Sequence, residues 1–344
     1  MSGTWSVAAV HERYSSLKKS MEEALKGTSA TLLYSQGCNI CADPVTQTEA
    51  EFGRPIPRVD FTQAKQEALN IAKNADVIIC AMGETSEMSG ESSSRATLEL
   101  PDEQMQLLKE LSALGKPVVL LHFSGRATVM DWESKNIPAI MNVWFGGSEA
   151  ADAICDVVFC DKNPSGILTM TMPQHLGQVP IYYNHLNTGR PVEVGEPKFR
   201  KYCSNYFEVR NDPLYPFGYG LSYTTVEYGK PSLNGNTLSV TVKNTGYRAT
   251  DEVVQFYIRD LVATIMRPVK ELKGFERVHL EAGESKTVSF TVTKEMLSYY
   301  DGEGNTVFEP GDFDLMVGPN SRDVQTVIFK EFKELQGVTR SSRH

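Results

Sequence analysis

From about residue 11 to 172 the apolar positions follow two alternating rhythms. Phe61, Ala64, Ala68 and Ile71 share one stripe, and that spacing predicts a helix over 61–74. Asp76 to Met82 follows as an apolar run of strand length bounded by Gly83, the pattern of a parallel strand buried on both faces. Pro101 to Leu114 reads as a helix, with Pro at its start, acids in its first turn and Gly115 past its end. Val118 to His122 predicts a second buried strand, Ala139 to Trp144 a third, and Ser148 to Phe159 a helix capped by Ser148. Upstream, Ser20 to Lys26 predicts a helix closed by Gly27, and Ala30 to Tyr34 a short strand. Strands alternating with helices imply right-handed βαβ units and a mainly parallel sheet in an α/β sandwich.

After about residue 223 short alternating segments take over: Leu238 to Val242, Val253 to Ile258, Thr287 to Val292 and Asp312 to Val317. Turn signals such as Asn234-Gly235, Ala282-Gly283-Glu284 and Asp301-Gly302 separate them. About seven short strands of this kind predict an all-β, immunoglobulin-like sandwich. The expected organisation is a linker and first helix (1–27), an α/β domain (28–172), an irregular wrapping linker (173–222), a β-sandwich (223–335) and a tail (336–344).

Composition narrows the function classes. A chain of 344 residues with 41% hydrophobic and 22% charged residues suits two globular domains. A net charge of -9 argues against nucleic acid as a partner, which rewards basic surfaces. The longest apolar runs are too short to span a bilayer, so no membrane partner is expected. Residues 1–6 carry no secretory pattern, and the proline of Asn163-Pro164-Ser165 blocks a glycosylation sequon.

Six cysteines do not make a disulfide framework. Cys38 and Cys41 form a C-x-x-C, which reads as a redox pair, half of a zinc site, or two ordinary thiols near a strand end; no second C-x-x-C or paired histidines accompany it. Hydrolytic serine, P-loop and H-E-x-x-H motifs are missing, Gly218-Tyr219-Gly220 lacks a third glycine, and Asp301 to Asn305 reads as a hairpin turn rather than a calcium loop. No cofactor or metal is implied.

One stretch stands apart. Gly83 to Arg95 leaves the C-terminal end of the first buried strand, where open α/β sheets place their ligands. It carries Glu84, Glu87, Glu91 and Arg95 among small residues, a composition that a merely solvated acidic loop would share. The run Ser89-Gly90-Glu91 to Arg95, closing with Leu98-Glu99-Leu100-Pro101, resembles the acid/base loop of glycoside hydrolase family 3. Further motifs resemble that family in order: Gly3-Thr4-Trp5-Ser6, Pro117 to Arg126, Trp144 to Glu149, Asn163-Pro164-Ser165-Gly166, Gly177 to Pro180 and Gly189-Arg190-Pro191. Pro213 to Tyr223 (PLYPFGYGLSY) is the most specific, and Leu272 to Phe275 with Pro310 to Phe313 resemble the family's fibronectin type III-like domain.

The resemblance is to the C-terminal part of a β-glucosidase of the family, without the (β/α)8 barrel that precedes it there. It implies a retaining exo-β-glycosidase in which a barrel Asp attacks the anomeric carbon and Glu91 protonates the leaving oxygen. Retaining chemistry needs two carboxyls roughly 5 Å apart, one of them a proton donor. Glu84 and Glu87 are the rivals for that role, Glu84 placed to fix the loop by hydrogen bonding and Arg95 to anchor it. Trp132 and Trp144 are candidates to stack on a sugar or to fill the core. The expected partners are a β-linked glucoside or short oligosaccharide and a barrel in cis or in trans, so this chain alone is expected to be inactive. A periplasmic or secreted location of the full-length protein is a further expectation. Competing readings are a non-catalytic carbohydrate-binding module and β-xylosidase or N-acetylglucosaminidase specificity.

Overall fold

The protein is described by a computed structural model covering residues 3–6, 8–48, 56–192 and 199–330; the expected tail at 336–344 lies outside the described residues. The chain forms two compact units, one of residues 1–162 with 173–179, the other of 163–172 with the residues from 180 onward.

The first unit holds helices α1 (Leu17–Ala24), α2 (Pro44–Thr48) and α3 (Phe61–Ala72), strand β1 (Ile78–Gly83), α4 (Asp102–Ser112), β2 (Val118–Phe123), α5 (Asp131–Asn136), β3 (Ala139–Asn142) and α6 (Ala150–Val158). The strands form one parallel sheet in the order β1-β2-β3, with Met82 beside His122 and His122 beside Asn142. Because side chains alternate along a strand, the sheet buries two different faces. Ile78, Cys80, Met82, Val118 and Leu120 pack with Ala68, Ala72, Leu107, Leu108 and Leu111 of α3 and α4. Ile79, Val119, Leu121 and Met141 face the other way, towards Met21 of α1 and Ile154 of α6. Burial on both faces is why the strands read as unbroken apolar runs.

Two local expectations fail. Ala30 to Tyr34 is irregular rather than a strand: Leu32 packs inward, whereas Leu33 and Tyr34 are exposed and the run joins no ladder. The helix α6 starts after Glu149, with no side-chain cap from Ser148. The six-residue α5 escapes periodicity because it is too short to show a stripe, yet its Trp132 packs against the core.

The second unit is a β-sandwich. Strands β4 (Val226–Tyr228), β5 (Ser232–Asn234), β6 (Thr237–Asn244) and β9 (Ser285–Thr291) form one antiparallel sheet. The other contains β7 (Thr250–Asp260), β8 (Glu271–Leu280), β12 (Phe313–Gly318) and β13 (Gln325–Phe329) in the order β13-β12-β7-β8. Between β9 and β12 lie α7 (Lys294–Leu297) and the small hairpin β10 (Tyr299–Tyr300) and β11 (Thr306–Val307), whose turn contains Asp301-Gly302 as expected. The inward residues Leu238, Val240, Val242, Val254, Phe256 and Leu315 form the core.

The linker motif seats on this sandwich. Gln255 of β7 donates from its amide to the carbonyls of Gly218 (3.3 Å) and Pro319 (2.6 Å), and Ser321 donates its N–H to Phe217 (2.9 Å). Asn163 accepts from the Tyr223 N–H at 2.8 Å and donates to the Ala249 carbonyl at 2.8 Å. These bonds explain why the Asn163 turn belongs to the second unit.

Glu133 of α5 is buried and its Oε1 has no partner among the described residues; desolvation raises its carboxyl above the usual range. The folded state therefore holds this proton more tightly than the unfolded chain. Its contribution favours folding below the unfolded carboxyl pKa and is lost as pH rises through the folded value. Glu133→Gln is expected to stabilise the protein by about 1–2 kcal/mol at pH 7.5 and to have little effect at pH 4. Urea unfolding at the two pH values measures this.

Candidate active site

The loop after β1 is built from its root outward. Gly83 ends β1 at φ 145°, where a Cβ would lie 1.8 Å from the Phe123 carbonyl oxygen of β2, so no side chain fits. Gln104 of α4, almost fully buried, accepts the Gly83 N–H at 2.7 Å and donates to the Gly83 carbonyl at 2.8 Å and to that of Ile40 at 2.6 Å. The amide thus satisfies both backbone groups at which the chain leaves the strand.

Glu84 comes next, with 1% of its side chain exposed. Its carboxylate pairs with Arg95 at 2.9 Å and Arg126 Nε at 3.2 Å, and accepts the Gly125 N–H at 3.0 Å. Arg95 also donates to the Glu99 carbonyl at 3.0 Å. Arg126 donates through Nη2 to the carbonyls of Met88 and of Ser93, the latter at 2.8 Å. Its guanidinium therefore grips the loop backbone on both sides of Glu91.

The loop's three carboxylates are consequently in different states. Glu84 is spent on structure. Glu87 is half-buried and accepts from the Ser86 hydroxyl at 3.2 Å. Glu91 is exposed, and its carboxylate has no hydrogen bond or ion pair among the described residues; only its main-chain carbonyl accepts, from Ser93 at 3.4 Å. Ser92 beside it adopts φ 60°, a sharp bend at the tip of the loop.

Glu84, Glu87, Glu91 and Arg95 are thus gathered on one loop, with only Glu84 and Arg95 paired. Sequence alone does not single out Arg126, because its partners lie 33 to 42 residues away in the chain. A cue existed in its position just past β2, the strand next to β1. His122 at the end of β2 is buried, bonds Thr128 at 2.8 Å, and is pushed down to about 4 by burial and then by the Arg95 charge, so it is neutral at pH 7. Trp132 is half-buried against the core, and Trp144 is half-buried at φ 51°.

The C-x-x-C thiols are both buried. Burial, reinforced by Glu103, pushes Cys38 up to about 12, and burial also raises Cys41. Neither is a thiolate near neutral pH, which disfavours redox or metal chemistry there.

Glu84→Ala strands two arginine charges and is expected to cost roughly 3 kcal/mol of stability. Denaturant unfolding of the chain measures it; a loss under about 1 kcal/mol, as for a surface pair, would show that the cluster does not hold the loop.

Residues 1–223 match the profile of the glycosyl hydrolase family 3 C-terminal domain, and residues 252–321 that of a fibronectin type III-like domain. Among curated relatives, a periplasmic β-glucosidase of Salmonella typhimurium is 39% identical over 339 residues, covering 95% of this chain and 44% of its own length. A β-xylosidase of Formosa agariphila is 41% identical over 271 residues, 76% of this chain and 36% of the relative. The crystal structure of a β-glucosidase from Listeria innocua in complex with gluconolactone superposes with a TM-score of 0.82 at 36% identity, covering 96% of this chain and 43% of that one. The chain spans less than half the length of these relatives. With both of its units matched, the chain belongs to glycosyl hydrolase family 3, of which it carries the C-terminal domain and the fibronectin type III-like domain.

Proposed function

We propose that this chain supplies Glu91 as the general acid/base of a retaining exo-β-glycosidase of the β-glucosidase type. The nucleophilic carboxylate comes from a (β/α)8 barrel in cis or in trans. One observation carries the assignment: of the loop carboxylates, Glu91 alone is exposed and unpaired, while Arg126 holds the backbone on either side of it. An acid that protonates a leaving oxygen must reach the substrate, and Glu84, locked to two arginines, does not. The substrate is a β-linked glucoside or short oligosaccharide, in keeping with the β-glucosidases among the relatives. A β-xyloside is the second reading, favoured by the 41% identity to a β-xylosidase. A periplasmic or secreted location for the whole protein is in keeping with the name of the Salmonella relative.

The test joins the chain to a family 3 barrel and compares two β-glucosides. Glu91→Gln is expected to lower kcat/KM for cellobiose by roughly 10²–10⁴-fold. It should lower kcat/KM, which reports formation of the glycosyl-enzyme, far less for 2,4-dinitrophenyl glucoside, whose leaving group departs without a proton. Equal losses on both substrates, or none, would refute the assignment. The 344 residues alone are expected to give no turnover; activity of the isolated chain that Glu91→Gln abolishes would refute the need for a barrel. Parallel assays on aryl β-xylosides decide between the two sugars.

A further inference from the structure

Arg126 reaches the loop from the β2 side, but a second element holds it from the opposite end of the sequence. The Thr4 hydroxyl lies within hydrogen-bond reach of two loop carbonyls, those of Ser86 and Ser89, the latter at 2.6 Å. Both belong to the single 3-10 turn at Ser86–Met88 and its cap, and the Ser86 carbonyl also accepts the Ser89 N–H at 3.4 Å. A hydroxyl carries one proton, so Thr4 shares it between the two acceptors. The Thr4 methyl packs on the next residue, Gly90: at φ 109° a Cβ there would come within 2.8 Å of Thr4 Cγ2. Glu91 follows directly.

The segment that carries Thr4 is itself seated. Gly3 is buried against the Phe145 ring, closely enough that a Cβ on it would fall 2.7 Å from Cδ2, and its carbonyl accepts the Ser6 hydroxyl at 2.7 Å. The contacts thus run from Phe145, just past β3, through Gly3 and Thr4 to Ser86, Ser89 and Gly90. The loop is bracketed, with Arg126 on Met88 and Ser93 and Thr4 on Ser86, Ser89 and Gly90.

We infer that Thr4 is a positioning residue for Glu91, and that its hydroxyl couples the N-terminal segment to the loop so that the two move as one. A displacement of residues 3–6 is then transmitted to the turn immediately before the acid. The catalytic meaning of this coupling rests on the reading of Glu91 given above, but the coupling itself does not.

Hydrogen exchange of the full chain, read on peptides covering residues 86–94 with peptides from β2 as internal reference, tests it without any turnover. Thr4→Val keeps the size and a methyl but removes the donor, and is expected to speed exchange in the loop by roughly five-fold, the worth of one hydrogen bond, while β2 stays unchanged. Thr4→Ser retains the donor and is expected to restore most of the protection. Wild-type protection in Thr4→Val, or equal loss in Thr4→Ser and Thr4→Val, overturns the role of the hydroxyl. Loss of protection in β2 as well makes Thr4 a residue of the general fold and overturns the proposal too. None of these outcomes bears on whether Glu91 is the acid, which the leaving-group comparison decides separately.

Discussion

A carboxylate with 1% of its side chain exposed cannot stay charged without compensation, and Glu84 finds it in two guanidinium groups and one backbone N–H. Much of the candidate site depends on that cluster. Glu84 follows the last residue of β1, Gly125 and Arg126 follow β2, and Arg95 closes the loop, so one buried charge draws three separate stretches together. Arg126 then has donors left over, and they go to the loop backbone around Glu91. The arrangement divides the carboxylates: a buried one organises the loop, and an exposed one, Glu91, is left unpaired among the described residues.

The parallel sheet makes this possible. Strands buried on both faces end together at one edge, and the loops that leave there are neighbours whatever their distance in sequence. Gln104 reinforces the edge by bonding both backbone groups of Gly83 from α4. The neutral His122, bonded to Thr128, adds no positive charge beside a cluster that already carries an excess of it. The sandwich unit obeys a simpler rule, with alternating residues buried between two sheets and the PLYPFGYGLSY motif bonded to β7 and to the turn after β12.

Long elements with a clear period were legible from sequence alone. The helices α3 and α4 and the sandwich strands β6, β7, β9 and β12 fall where burial imposes a repeat, and β1 and β2 where burial on both faces leaves an apolar run. The failures have local causes. Ala30 to Tyr34 has strand-like residues but no ladder, and α5 is shorter than two turns. Strand character depends on a partner edge that a single segment does not reveal. The C-x-x-C, chemically suggestive on paper, proved to be two buried thiols with raised pKa values.

The sequence by itself determined the fold class, the family resemblance and the loop that carries Glu84, Glu87, Glu91 and Arg95, because periodicity and contiguous motifs are local properties of the chain. It offered Glu84 as a residue that fixes the loop, but the partners that tie it down were beyond its reach. Arg126 and Thr4 meet the loop from 33 to 42 and from 82 to 85 residues away, and only the folded sheet brings them there. Identical side chains acquire different roles through burial and through partners, and both are settled by tertiary structure.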